Sequence, residues 1–204
     1  MRVVGIDPGL KGGLATVESS RPGEVDLLPM PTIGGKDFDI QIIKEYLKNR
    51  APYMVMLEQQ IALPGQGLSS TLQTGKGFGI LLGLLAGLEI PHTVISARMW
   101  QHKMFVGVSA KLDTKVKSEI IAKRLFPLTD FRVSSRARVS ADGLTDAACI
   151  AMYGVQTLSG KKNTSSDKVT KHHRSMPLNP DICVDCGVFI PGADEQCNKY
   201  YYDR

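Results

Sequence analysis

The sequence reads as an α/β domain, a mixed five-stranded sheet with helices on both faces, followed by a small cysteine-containing tail. Three observations lead there. The first thirty residues alternate short apolar, partly β-branched runs with turn residues, as an antiparallel meander does. From residue 37 onward, stretches with apolar residues at helical spacing alternate with short continuous apolar runs, the pattern of strands covered on both faces. After Leu158 large apolar residues thin out and lysines take over.

Taken in order, strands are expected at 2–6, 13–18 and 24–30, with Arg21-Pro22-Gly23 as the turn before the third. Phe38, Ile42, Ile43, Tyr46 and Leu47 give a helix over 37–50, which Pro52 stops. Residues 53–57, YMVML, read as a central parallel strand, and Glu58 follows at once. The stretch 59–77 is rich in Gly, Gln, Ser and Thr and reads as partly a mobile loop. A helix then runs over about 75–88. Its glycines at 75, 79, 83 and 87 fall on one face, at a cost of roughly 1 kcal/mol each against alanine, which implies close approach by another backbone. That backbone is either the domain's own sheet or a second subunit. A short strand over 91–95 leads into 97–108, which holds the sole tryptophan, Trp100, with Arg98 and Lys103. A helix is expected over 112–126, burying Val116, Ile120, Ile121 and Leu125. A basic loop follows over 130–139, then a last helix over about 141–157.

This order divides the 204 residues into a domain over 1–158, a basic flexible linker over 159–175 and a Cys motif over 176–204. Apolar content of 43% and charged content of 22% are those of an ordinary globular chain, which argues against a disordered or fibrous one. A net charge of +5 suits a polyanionic partner such as nucleic acid. The longest apolar run, Phe78 to Ile90, is too short and too interrupted for a membrane span, and Met1 leads directly into a strand. A cytoplasmic protein without membrane partners is therefore expected.

Four carboxylates stand out. Asp7 ends the first strand before Pro8-Gly9, and Glu58 ends the fourth. Asp142 and Asp146 are four apart on the last helix, so they share a face with Cβ atoms roughly 6 Å apart. Each has a simpler reading. Asp7 suits an Asx turn, and Asp142 suits a helix N-terminus behind a Ser140 cap. Asp146, a turn further in, has less use for such a role. Ala141, Ala147, Ala148 and Ala151 let this helix lie close to the sheet, which would bring its acids towards Asp7 and Glu58. An all-oxygen site of this kind suits Mg²⁺, and a pair of ions about 4 Å apart serves phosphodiester cleavage. Three antiparallel strands, then helix, strand, helix, strand and terminal helices, with acids ending the first and fourth strands, is the order of the ribonuclease H-like fold.

Residues 1 to about 157 resemble the RuvC-type Holliday-junction resolvases, especially their bacteriophage relatives. The likeness rests on GIDPGLKGGLA at 5–15, VMLEQQ at 55–60 and DGLTDAACIA at 142–151, supported by PGQGLSSTLQTGKGFG at 64–79 and by Trp100 ahead of LFP at 125–127. It implies a homodimeric endonuclease acting on branched DNA in a bacterial or phage-infected cell. It further implies Mg²⁺ or Mn²⁺, two per site, and carries the catalytic acids onto Asp7, Glu58, Asp142 and Asp146. The family also places a basic residue before the last helix; Lys111, Lys115 and Lys117 compete, with Lys111 and Lys115 as candidates. Gln66, Lys76, Arg98, Lys103, Arg132, Arg136 and Arg138 are candidate DNA contacts. The family's junction-entering loop often carries an aromatic at its tip, and here the loop has Leu68 and Phe78 instead.

In the tail, Cys183-x-x-Cys186 followed by Cys197 resembles a zinc knuckle with Tyr200 where a fourth cysteine would fall. His172, His173 or Asp203 would have to complete it; the alternative is a decayed knuckle with free thiols. Two other functions compete with the nuclease: an actin-like ATPase or kinase, which shares the opening motif, and a non-catalytic protein that binds branched DNA.

Overall fold

The computed structural model describes residues 1–61, 65, 67–134 and 136–160, and the backbone of 175–176 and 179–183. The chain divides into two compact units, Met1–Val155 and Gln156–Arg204.

In the first unit β1 (Arg2–Asp7), β2 (Gly13–Glu18) and β3 (Arg21–Pro29) form the antiparallel meander. A small ribbon, β4 (Thr32–Ile33) with β5 (Asp37–Phe38), precedes α1 (Ile40–Arg50). Then come β6 (Met54–Glu58), α2 (Leu68–Gly87), β7 (His92–Ile95), α3 (Ala97–Met104), α4 (Thr114–Leu125) and α5 (Asp142–Ser159), the last running across the boundary between the units. The main sheet has the order β3-β2-β1-β6-β7, with β6 parallel to β1 and β7 parallel to β6. In the second unit β8 (Ser175–Met176) pairs antiparallel with β9 (Asn179–Cys183). The expected linker falls mostly on 161–174, outside the described residues. No helix among the described residues is long and apolar enough to cross a membrane.

The strand alternation assigns the two faces of the sheet. Val4, Ile6, Leu14, Val55 and Leu57 point to one side and form a core with Ile43 and Leu47 of α1 and Leu81 and Leu85 of α2. The Thr16 hydroxyl on this face lies 2.7 Å from Tyr46 Oη, which ties α1 to β2. Val3, Gly5 and Met56 point to the other side, where α5 lies. Gly5 is needed there: a Cβ on it would run into the Ala147 carbonyl oxygen and the Ala151 nitrogen of α5. Gly154 of α5 is the reciprocal case, with Val3 Cγ1 2.7 Å from where its Cβ would be.

Several boundaries differ from the sequence expectation. β3 starts at Arg21, and the chain reverses at Ser19-Ser20 through a bulge between Val17 and Glu18. Pro22 is tolerated because β3 is an edge strand and its missing N–H deprives no neighbour. α1 starts at Ile40, capped by Asp39, which accepts from the Ile42 N–H at 3.2 Å, and it ends on Ala51 in a left-handed conformation ahead of Pro52. α2 is 20 residues long and begins at Leu68, so the expected loop is shorter than 59–77. Its glycines at 75, 79, 83 and 87 have nothing within 4 Å of an added Cβ, and Gly77, Leu81 and Leu85 face the core instead. The open glycine face is therefore not packed on the domain's own sheet. α4 buries Ser118, Ile121 and Ala122, while Val116 is exposed and Ile120 and Leu125 are half-buried.

Candidate active site

β1 and β6 are adjacent and parallel, with Ile6 paired to Leu57, so Asp7 and Glu58 stand side by side one step beyond that pair. Both continue the alternation of residues that face α5. The helix arrives over them because its contact side is small. A Cβ on Gly143 would collide with Gly12 Cα and the Lys11 carbonyl, so the first turn of α5 sits directly on the loop that follows Asp7. Asp142 and Asp146 lie on that first part of α5. Ser140 does not cap the helix: its hydroxyl donates to Glu119 Oε1 at 2.8 Å.

The four acids feel one another. Burial, reinforced by Glu58 and Asp142, pushes Asp7 up to about 6 against the opposing hydrogen bond from the Gly9 N–H. Burial pushes Asp146 up to about 7; the Ser118 hydroxyl hydrogen-bonded to it opposes this, and the charges of Asp7 and Asp142 add to it. Glu58 is also raised, by burial and by Asp146, while the indole of Trp100 pulls the other way. Each of these three carboxylates is thus held by one neutral donor. Gly9 N–H reaches Asp7 Oδ1 at 3.2 Å, and Trp100 Nε1 reaches Glu58 Oε1 at 2.9 Å. Asp142 is exposed and takes a cation instead, with Lys115 Nζ 2.9 Å from its Oδ2.

Of the competing lysines only Lys115 meets an acid of this group. Lys117 Nζ donates to the Ala110 carbonyl at 3.0 Å, and Lys111 is exposed in the turn before α4. Among the candidate DNA contacts, Arg98, Arg136 and Arg138 are exposed, and Gln66 lies outside the described residues. Lys76 is paired with Asp37 at 2.6 Å, beside a cavity of about 300 Å³ lined by Lys11, Phe38, Gln60 and Gln73. The Lys103 ammonium lies 5.2 Å from the centroid of Tyr153. Arg132 is clamped by Asp130, its Nε reaching both carboxylate oxygens at 2.9 and 3.0 Å. In the tail, Cys183 ends β9, whereas Cys186 and Cys197 lie outside the described residues.

Trp100 and Ser118 have roles here that no pattern in the sequence assigns. Trp100 is the sole tryptophan, and no local pattern links it to Glu58, 42 positions away. Ser118 is an unremarkable position in an amphipathic helix.

As the side chains lie, no three His, Cys, Asp or Glu residues among the described ones are gathered closely enough to hold a metal ion. The chemistry of the donors nevertheless fits a hard divalent cation. All are carboxylate oxygens, and burial and mutual repulsion oppose the ionisation of Asp7 and Asp146, raising them to about 6 and about 7. A bound cation would relieve that repulsion.

No protein-family model matches the sequence, and no curated protein matches it in sequence. Solved structures do match in fold. Thermus thermophilus RuvC in complex with a Holliday junction substrate superposes with a TM-score of 0.55 at 18% identity, covering 78% of this chain and 96% of that one. A second structure of Thermus thermophilus RuvC gives 0.53 at 19%, covering 78% and 97%. The yeast mitochondrial Holliday junction resolvase Ydc2 gives 0.51 at 17%, covering 76% and 77%. The chain therefore has the fold of the RuvC resolvases, a ribonuclease H-like mixed sheet with helices on both faces.

Proposed function

We propose that the chain is a divalent-metal-dependent endonuclease that resolves Holliday junctions or related branched DNA by paired phosphodiester cuts, acting as a homodimer. The observation that carries this reading is the convergence of Asp7, Glu58 and the first turns of α5 at one end of the sheet, with Asp7 and Asp146 raised by burial and by the charges of neighbouring carboxylates. The likeness in fold to proteins described as Holliday junction resolvases supports the substrate class.

Asp7, Glu58, Asp142 and Asp146 would hold Mg²⁺ or Mn²⁺, which when bound supplies Lewis acidity and an activated water for hydrolysis. The protein's own part is positional. Trp100, Ser118 and the Gly9 amide hold three carboxylates with neutral donors, so their charge is kept for a cation. Lys115 sits at the solvent side of Asp142, where a DNA phosphate would approach, and its ammonium complements that charge. Arg98, Arg136 and Arg138, all exposed, offer cations to the DNA backbone. The glycine face of α2, with Leu68 and Leu72 at 90% and 74% exposure along the same helix, is the surface for the second copy. Cys183, Cys186 and Cys197 are proposed as ligands of a tail zinc.

Labelled four-way junction and linear duplex of the same sequences, each with and without Mg²⁺, test the reading. Symmetric nicks in the junction alone, dependent on Mg²⁺ and abolished in Asp7→Asn while junction binding persists, are expected. Equal cutting of duplex, or near-normal cutting by Asp7→Asn, would falsify it.

A further inference from the structure

We propose that Trp100 is a positioning residue, whose indole fixes the carboxylate of Glu58 for cation ligation and whose emission reports occupancy of the site. This rests on the divalent-cation site proposed above.

Glu58 is the one glutamate among the four acids, and its side chain has a rotatable bond more than an aspartate has. It is therefore the acid most in need of an external constraint. The constraint comes from the neighbouring strand. Ile95 of β7 pairs with Glu58, and α3 begins two residues later behind Ser96, whose Oγ accepts from the Met99 N–H at 3.3 Å. One turn into α3, Trp100 is fully buried and donates Nε1–H to Glu58 Oε1 at 2.9 Å. The indole has a single N–H and no acceptor, so its polar edge can do nothing else there. Phe105 packs edge-on against the ring, with centroids 5.5 Å apart and planes at 80°, which leaves the ring little room to turn.

The choice of donor matters chemically. A lysine or arginine at this place would offset the carboxylate's charge and compete with a cation. A neutral N–H orients one oxygen, leaves the charge in place and leaves Oε2 for a ligand. Metal ligands are generally held in this way by a second layer of hydrogen bonds, and removal of such a partner typically costs 10–100-fold in metal affinity. The competing account is that Glu58 merely satisfies a buried indole N–H. That account predicts lost stability in a Trp100 variant and unchanged cation affinity.

The test uses the full chain without DNA. Trp100 is its sole tryptophan, so the emission is assigned without labelling. Mg²⁺ is titrated by calorimetry and, in parallel, by tryptophan emission. The expected result is a saturable emission change with the calorimetric midpoint, lost in Glu58→Gln. In Trp100→Phe, which keeps a ring and removes the N–H, Mg²⁺ affinity should fall about tenfold. Calorimetric binding without an emission change, or wild-type affinity in a folded Trp100→Phe, overturns the proposal. If Trp100→Phe does not fold by circular dichroism, Trp100→Leu takes its place in the calorimetric titration, and wild-type Mg²⁺ affinity in that folded variant overturns the proposal. Complete lack of Mg²⁺ binding removes the cation site and this proposal with it. An emission response without any junction cleavage would sink the resolvase reading and leave the role of Trp100 standing.

Discussion

Replacing Asp146 by Asn keeps the shape of the side chain and removes one charge from a crowded group, which should affect the empty protein and the reaction in opposite directions. Asp7 and Asp146 are raised to about 6 and about 7, so between about pH 4 and 7 the folded chain holds protons that the unfolded chain has released. The contribution of these two groups to stability therefore falls as pH rises through that window and levels off above it. In EDTA, the melting temperature of the wild type should decline from pH 5 to pH 8 more steeply than that of Asp146→Asn. At pH 8 the variant should melt higher, by about 2–4 °C for each kcal/mol relieved. Mg²⁺ should stabilise the wild type increasingly towards high pH and should do much less for the variant. Parallel melting curves with and without Mg²⁺ would remove Asp146 from any cation site. Asp7 and Glu58 are legible in the sequence because each interrupts an apolar run at its last position. Ser118 and Trp100 are not, because what they do depends on register and helix rotation that no local pattern encodes.

The glycine face of α2 makes a prediction in which two measurements part company. Nothing in the described chain lies within 4 Å of a Cβ on Gly83, so Gly83→Leu has room in the isolated domain. A better helix former there should stabilise the monomer by up to about 1 kcal/mol. In a dimer built on this face, the same leucine overpacks a close contact, which typically costs 1–3 kcal/mol. Sedimentation at micromolar concentration should then give a dimer for the wild type and a folded monomer for the variant, with paired cuts lost. A wild-type monomer, alone and with junction bound, sinks the dimer. The early start of α2 escaped the sequence because Ser69, Ser70, Thr71, Gln73 and Thr74 resemble a loop in composition. Their helix is held by its other end, where Leu81 and Leu85 are buried. α4 misleads in the opposite way. Its core side is built on Ser118 and Ala122 beside Ile121, so Val116 is left in solvent.

Binding of DNA to the complete chain should be strongly salt-dependent, but not every basic residue contributes equally. Each phosphate neutralised lowers the slope of log K against log salt by about 0.9. Arg136→Ala with Arg138→Ala should therefore make the slope less negative by about 1.8. Arg132→Ala should change it less, since Asp130 already clamps that guanidinium. Equal losses for all three would mean that the clamp opens on DNA. The sequence announces the general architecture because strands, acids and glycines occur in an informative order. It does not announce which cations are already spent on internal partners, as with Lys76 on Asp37, because those pairings join distant positions.

The slot that Gly5 leaves for Ala147 and Ala151 joins the first strand to the last helix, so the four acids can meet only late in synthesis. A nascent chain emerges from the ribosome with Asp7 and Glu58 in place long before Asp142 and Asp146 exist. A nuclease whose acids were clustered early in the sequence could damage nucleic acid while still tethered. In the proposed nuclease the cutting centre would be completed only when α5 docks, after nearly the full domain has been made. Stalled chains released at residue 140 should accordingly be inert towards junctions, and adding a synthetic peptide that spans α5 is the direct way to ask whether closing that slot is the last step of activation.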